Sequence, residues 1–358
     1  MRKIRGKIME KQRNYAIDLL RLVLMFMVCV LHTLGQGGVL DACAVGTLKY
    51  NVFWLIEVLA YCAVDAFALI AGYVASDKPQ KYEKLVNMWF QVFFYSFVVS
   101  LVATFCGIGG ELGIKELIKS ALPVTFNRFW YVTAYFGLFF AIPLLNKFVF
   151  SIDKETAKKA LVIMLVLFSV LGILGEPMRT YKGYSVLWLI VLYLIGAIAN
   201  KIELFKNTKT STLIILWSVC ILVSWIALVV FGTQRLIRYV SPTILLTGVI
   251  MVILFSRMKL KGKIISKLSP LALGIYLFHS NKVLWRNVIK DAFVFIVDKN
   301  ILVGILLVFG IATVIFLAGL IVEFVRSKLA NWIKLDKLSK KIVTLCEKIL
   351  NKACELVK

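Results

Sequence analysis

The sequence has little acid and almost no histidine: 19 aspartates and glutamates and two histidines in 358 residues, against 43 lysines and arginines. Its seven cysteines include no CxxC pair and no zinc-type spacing, so neither a metal site nor a disulfide is expected. There is no GxSxG elbow and no Walker sequence, which removes two common hydrolase frameworks. The glycine-rich GIGGELG at 107–113 does not lie between a strand and a helix, so it is no dinucleotide fingerprint. Internal repeats and low-complexity segments are missing too. The basic start, MRKIRGKIMEKQRN, leads into an apolar run too long for a signal-peptide core and without a small-residue cleavage site, so no cleaved signal is expected.

What is present is apolar surface. Hydrophobic residues make up 61% of the chain, more than a soluble domain of this size carries. They fall in runs of about 20, the length of helix that crosses a bilayer. Ten spans are expected, near 15–36, 50–75, 84–106, 128–147, 159–175, 184–200, 211–231, 238–256, 265–285 and 300–325. The reading is an all-α polytopic membrane protein of about ten transmembrane helices. Lysine and arginine concentrate in alternate loops, which predicts that both termini are cytoplasmic. The net charge of +24 then faces anionic lipid rather than nucleic acid. Three parts follow: a basic N-terminus, 1–14; a membrane domain, 15–325; and a basic tail, 326–358. In the tail, Leu335, Leu338, Ile342, Leu345, Ile349 and Leu356 recur at helical spacing among lysines. That pattern suits an amphipathic helix on the inner membrane surface, or a plain solvated helix.

Ionisable groups inside a membrane are costly and tend to mark function. The first span holds Asp18, Arg21 and His32. Eleven residues at 100° each bring His32 back to within about 20° of Arg21, and the two stand ~16 Å apart along the axis. Asp18 shares their face. Arg21 falls toward the cytoplasmic edge and His32 toward the outside. Singly, Arg21 reads as a snorkelling cation paired with Asp18, and His32 as a polar cap. Together they read as a polar track. The second span holds Glu57 and Asp65, each of which needs a partner or becomes protonated; Arg21 and His32 are the nearest candidates in sequence. His279, near the outer end of the ninth span, is the other histidine. Imidazoles suit proton transfer near neutral pH. Asn127, Arg128, Trp130 and Tyr131 sit at the outer edge of the fourth span, as an aromatic belt or as a surface on which a sugar stacks.

These segments together resemble the membrane acyltransferase-3 family. The first span carries R-x10-H, preceded as RNYAIDLLR. FALIAGYV (67–74) is similar to the family's segment ending in Ser-Gly-Tyr or Ser-Gly-Phe. FWYVTAYFGLFFAIPLLN (129–146) is similar to its Trp-containing segment ending in Pro-Leu-Leu. SPLALGIYLFHS (269–280) is similar to its Tyr-Leu-x-His segment. The likeness covers about residues 13–325. It implies about ten transmembrane helices and transfer of acyl groups, often acetyl from acetyl-CoA, to extracytoplasmic carbohydrates. It implies that His32 is the essential histidine and Arg21 its companion. Ala71 stands where the family carries serine, so a hydroxyl at that point is not essential. Lys78, Lys81 and Lys84 stand near where relatives carry arginines. They would meet coenzyme A phosphates as point charges rather than forks.

The expected function is therefore acyl transfer from cytosolic acyl-CoA to an extracytoplasmic or lipid-linked carbohydrate hydroxyl, in the cell membrane. Acyl-CoA is a donor substrate, and no permanently bound cofactor is expected. His32 acts as general base, oriented by Glu57, Asp65 or His279, or forms an acyl-histidine. A proton-coupled transporter or flippase would use the same buried acids and bases. A membrane module of a larger synthase is a further reading.

Overall fold

The computed structural model describes residues 14–75 and 79–356, and every regular element among them is helical. The basic segment expected at 1–14 lies outside the described residues except for Asn14, as do Lys78 and the last two residues of the tail. In chain order the main helices are α1 (Tyr15–Leu34), α2 (Leu48–Tyr61), α3 (Ala63–Tyr73), α4 (Tyr82–Phe105), α5 (Trp130–Ser151), α6 (Lys154–Leu174), α7 (Val186–Lys201), α8 (Thr210–Val229), α9 (Pro242–Arg257), α10 (Ala272–His279), α11 (Ile301–Trp332) and α12 (Leu335–Leu356).

Eight helical stretches among the described residues are long and apolar enough to cross a membrane, α2 and α3 counting as one. The two remaining expected spans differ. α7 is apolar but has 16 residues, about 24 Å. The region expected as a single helix over 265–285 is broken. Lys263–Leu268 leads through the 3-10 turn Ser269–Leu271 into α10, and Lys282–Leu284 leads into the π-turn Trp285–Ile289. Pro270, which cannot donate a backbone hydrogen bond, sits in the first break. Asn281 forms the second. Its Oδ1 accepts from Val283 N at 2.9 Å and Leu284 N at 3.2 Å. Its Nδ2 donates to Tyr95 O at 2.7 Å and Ser100 Oγ at 2.9 Å. All four hydrogen-bonding positions of the amide are filled inside the protein. Irregular backbone at membrane depth survives only under such conditions.

α1 is the hub, packed against α2, α3, α9, α10 and α11. α3 and α7 make the closest pair. A Cβ on Gly72 would lie 2.9 Å from Ala197 N, and one on Gly196 would lie 2.9 Å from Leu69 C and 3.0 Å from Tyr73 N. Glycine at these two points lets the backbones touch. α11 lies at the edge, with only 17% of its most apolar window buried. It also runs past the expected boundary at 325, to Trp332. α12 then docks on α4: Asn87 Nδ2 donates to Asp336 Oδ1 at 2.7 Å, and Ser339 Oγ donates to Asn87 Oδ1 at 2.6 Å. Leu338, Leu345 and Ile349 of α12 remain exposed. Cys106, expected inside the third span, instead caps the end of α4 and is exposed.

Candidate active site

α1 starts at Asn14, whose Oδ1 accepts from Ala16 N at 2.9 Å and whose Nδ2 donates to Ser256 O at 3.1 Å on α9. One turn in, Arg21 Nη1 meets Asp18 Oδ1 at 2.8 Å. Ser269, at the break before α10, donates to the same carboxyl at 3.4 Å. The Asp18–Arg21 ion pair read from sequence is thus present, and it is tied to the broken segment. About three turns further along α1, His32 reaches the last residue of α10. His32 Nδ1 lies 2.7 Å from His279 Nε2, and His279 Nδ1 lies 2.6 Å from Ile275 O.

Those two contacts determine where the protons sit. A carbonyl only accepts, so His279 Nδ1 carries hydrogen. In neutral imidazole the other nitrogen then accepts, so His32 Nδ1 must donate to it. His32 Nε2 is left with its lone pair. Trp285 packs edge-on against the His32 ring at 4.6 Å, and His279 does so at 4.9 Å. A base held in one tautomer by a second group that is itself held is the arrangement that nucleophile activation requires. Of the three orienting groups expected from sequence, His279 is the one that touches His32.

Two cavities meet in the bundle. One, of about 660 Å³, is lined by His32, Glu57, Trp130, Tyr131, Tyr276 and Trp285 among others. The second, of about 750 Å³, is lined by Ala71, Lys81, Lys84, Tyr135, Asn146 and Tyr193 among others. Arg21, Phe67, Tyr131 and Leu273 line both. Arg21 therefore stands at the junction, with His32 on one side and the lysines on the other. Ala71 puts a methyl group into the second cavity at the position where the family carries serine.

The other expected residues divide. Glu57 lines the His32 cavity, and its Oε2 has no protein partner. Asp65 does not line it. Its Oδ1 accepts from Trp188 Nε1 at 3.0 Å, while Oδ2 is unpartnered. Neither Arg21 nor His32 is the partner of Asp65, because the tight α3–α7 contact brings the indole of α7 there instead. Trp130 and Tyr131 line the cavity; Asn127 is exposed, with φ 48° in the turn before α5. Trp130 is more than a belt residue. Its ring lies 4.5 Å from Tyr184, which lies 5.1 Å from Tyr239, which stacks on Tyr61 at 4.9 Å. Tyr61, Tyr184, Tyr239, Tyr276 and Trp285 were not singled out from sequence; only Tyr276, inside YLFH, carried a local signal. Among the described residues no group of three or more His, Cys, Asp or Glu is placed to hold a metal ion.

The family model described as an acyltransferase domain matches residues 14–323. The chain belongs to the acyltransferase-3 family. No curated protein and no solved structure matches it. As an acyltransferase-3 protein it is a multi-pass membrane acyltransferase, and R-x10-H acquires a physical meaning. The spacing puts the arginine at the junction of two cavities and the histidine, in a defined tautomer, inside one of them.

Proposed function

We propose that the protein moves an acyl group, acetyl in the first instance, from cytosolic acyl-CoA to a hydroxyl of an extracytoplasmic or lipid-linked carbohydrate. In this reading it resides in the cell membrane with both termini in the cytoplasm. The chain crosses ten times, the broken segment around α10 and the short α7 included. The observation that carries it is the His32–His279 contact at 2.7 Å, inside a cavity that joins a second, lysine-bearing one at Arg21.

Acyl-CoA enters the second cavity from the cytoplasm, with Lys81 and Lys84 at its phosphates. Its acyl arm passes Arg21, and the thioester carbonyl arrives beside His32. The acceptor enters the other cavity, its sugar against Trp130 and Tyr131. His32 Nε2 takes the proton of the acceptor hydroxyl as the oxygen bonds to the carbonyl carbon. The carbon–sulfur bond then breaks, coenzyme A leaves as thiolate, and His32 returns the proton to it. His279 keeps the Nδ1–H of His32 engaged while the imidazolium exists.

The test uses membranes supplied with tritiated acetyl-CoA. His32→Ala is expected to abolish transfer to glycan while the protein inserts and purifies as wild type does. Wild-type transfer by that variant would overturn the proposal. Movement of a substrate without any acyl-CoA requirement would favour the transporter instead.

A further inference from the structure

Besides Arg21, two cations line the His32 cavity, Arg128 and Lys282. Neither lines the second cavity. Arg128 precedes α5 and its side chain is 3% exposed. Its Nη1 donates to Glu116 Oε2 at 2.6 Å and its Nη2 to Ser120 Oγ at 3.2 Å, both on the short helix Ile114–Ala121. The guanidinium is thereby fixed in place with donors to spare. Lys282 follows the Asn281 break and has no ion-pair partner among the described residues. Glu116 is the sole carboxylate acting on it, against Arg128, Arg286 and Lys119. Arg128 and Lys282 at the cavity thus share one acid, with Lys119 and Arg286 outside its lining but near it. Glu116 is already committed: the Arg128 hydrogen bond holds its carboxyl below the ordinary value of 4.5.

A cavity walled by aromatic rings accepts a sugar face. Lys282, left without an ion-pair partner at the wall of that cavity, adds a second requirement, because a charge withdrawn from water is stable when it is paired. Resting on the acyl-transfer reading, we infer that the acceptor is anionic: the hydroxyl acylated at His32 belongs to a carbohydrate carrying a phosphate or carboxylate, and Lys282 and Arg128 bind that group. Coenzyme A phosphates do not fill this role, because their lysines line the other cavity. Arg128 also holds Glu116 and Ser120 in place, so Lys282 is the cleaner position to change.

The purified full chain in phosphatidylcholine nanodiscs is titrated with glucose 1-phosphate, glucuronate and methyl glucoside, and binding is read by calorimetry. Both anionic sugars are expected to bind at least about tenfold more tightly than the neutral one, from charge-assisted hydrogen bonds. Lys282→Gln should cut that ratio about tenfold and Lys282→Arg should restore it. Equal binding of all three sugars, or an unchanged ratio in Lys282→Gln, would overturn the inference. Repetition in phosphatidylglycerol nanodiscs separates the other source of anion. If that lipid displaces glucose 1-phosphate, the site takes a headgroup and the anionic acceptor is wrong. Binding is read without turnover. His32-dependent release of coenzyme A from acetyl-CoA, measured separately, reports on the acyl-transfer reading by itself.

Discussion

Replacing His279 by alanine takes away the acceptor of the His32 Nδ1–H and frees the imidazole to place its proton on Nε2. The base would then be present in the wrong tautomer for part of the time. We expect kcat to fall about 100-fold, within the usual range for general-base groups, with the KM for the acyl donor unchanged. Steady-state kinetics on His279→Ala checks this, and added imidazole should recover part of the rate. Wild-type kcat in that variant would separate the two histidines functionally. A second polar cluster lies away from both cavities. Arg326 grips Glu323 through Nε and Nη2 at 2.8 and 2.7 Å, and Tyr95 OH donates to the same carboxyl at 2.9 Å. Every acceptor there faces a donor from α4 or α11, which is the pattern of a structural pair rather than a reactive one.

Elements here are held where backbones touch and opened where they break. The α3–α7 contact depends on Gly72 and Gly196, and the neighbour of each missing Cβ is backbone, which cannot give way. Gly196→Val should therefore destabilise the bundle by about 3 kcal/mol or more. Gly310→Ala on α11, where nothing lies within 4 Å, should leave it as stable as wild type. Thermal midpoints in detergent compare the two, and equal midpoints would refute the close-packing account. The breaks around α10 do the opposite work. They end the helix at His279 and turn the chain so that Trp285 covers the His32 ring. The π-turn Phe94–Val98 of α4 lies against them and supplies Tyr95 O to Asn281.

At the scale of the whole molecule, the proposed orientation places the two ends of the Arg21–His32 track in different compartments. Native cysteines test it. Cys106 at the end of α4 and Cys354 in α12 are both exposed. Three crossings from a cytoplasmic N-terminus put Cys106 outside, and an even number puts Cys354 inside. A membrane-impermeant maleimide should label Cys106 on intact cells, and Cys354 only after permeabilisation. Labelling of Cys354 on intact cells would reverse the proposed direction of transfer. α12 docks through Asp336 and Ser339 on α4, the helix that also presents Lys84 to the second cavity.

Much of this protein is legible in one dimension. Apolar runs of bilayer length, the shared face of Arg21 and His32, their separation along α1 and the Asp18 partner all follow from helix geometry and hydropathy, which act over one or a few turns. The family motifs are equally local. Where local rules failed, the cause was a break or a neighbour. Pro270 and Asn281 divided a span that hydropathy alone presents as continuous, and Trp188 took the place of a charged partner for Asp65. The contact of His32 with His279 joins residues 247 apart in sequence, and the junction of two cavities at Arg21 needs side chains from several helices. Periodicity says which face a residue shares on its own helix. Which helix it meets is decided by packing, through glycines that admit backbone contact and an asparagine that satisfies a broken segment, so the histidine was visible in the sequence and its working tautomer only in the fold.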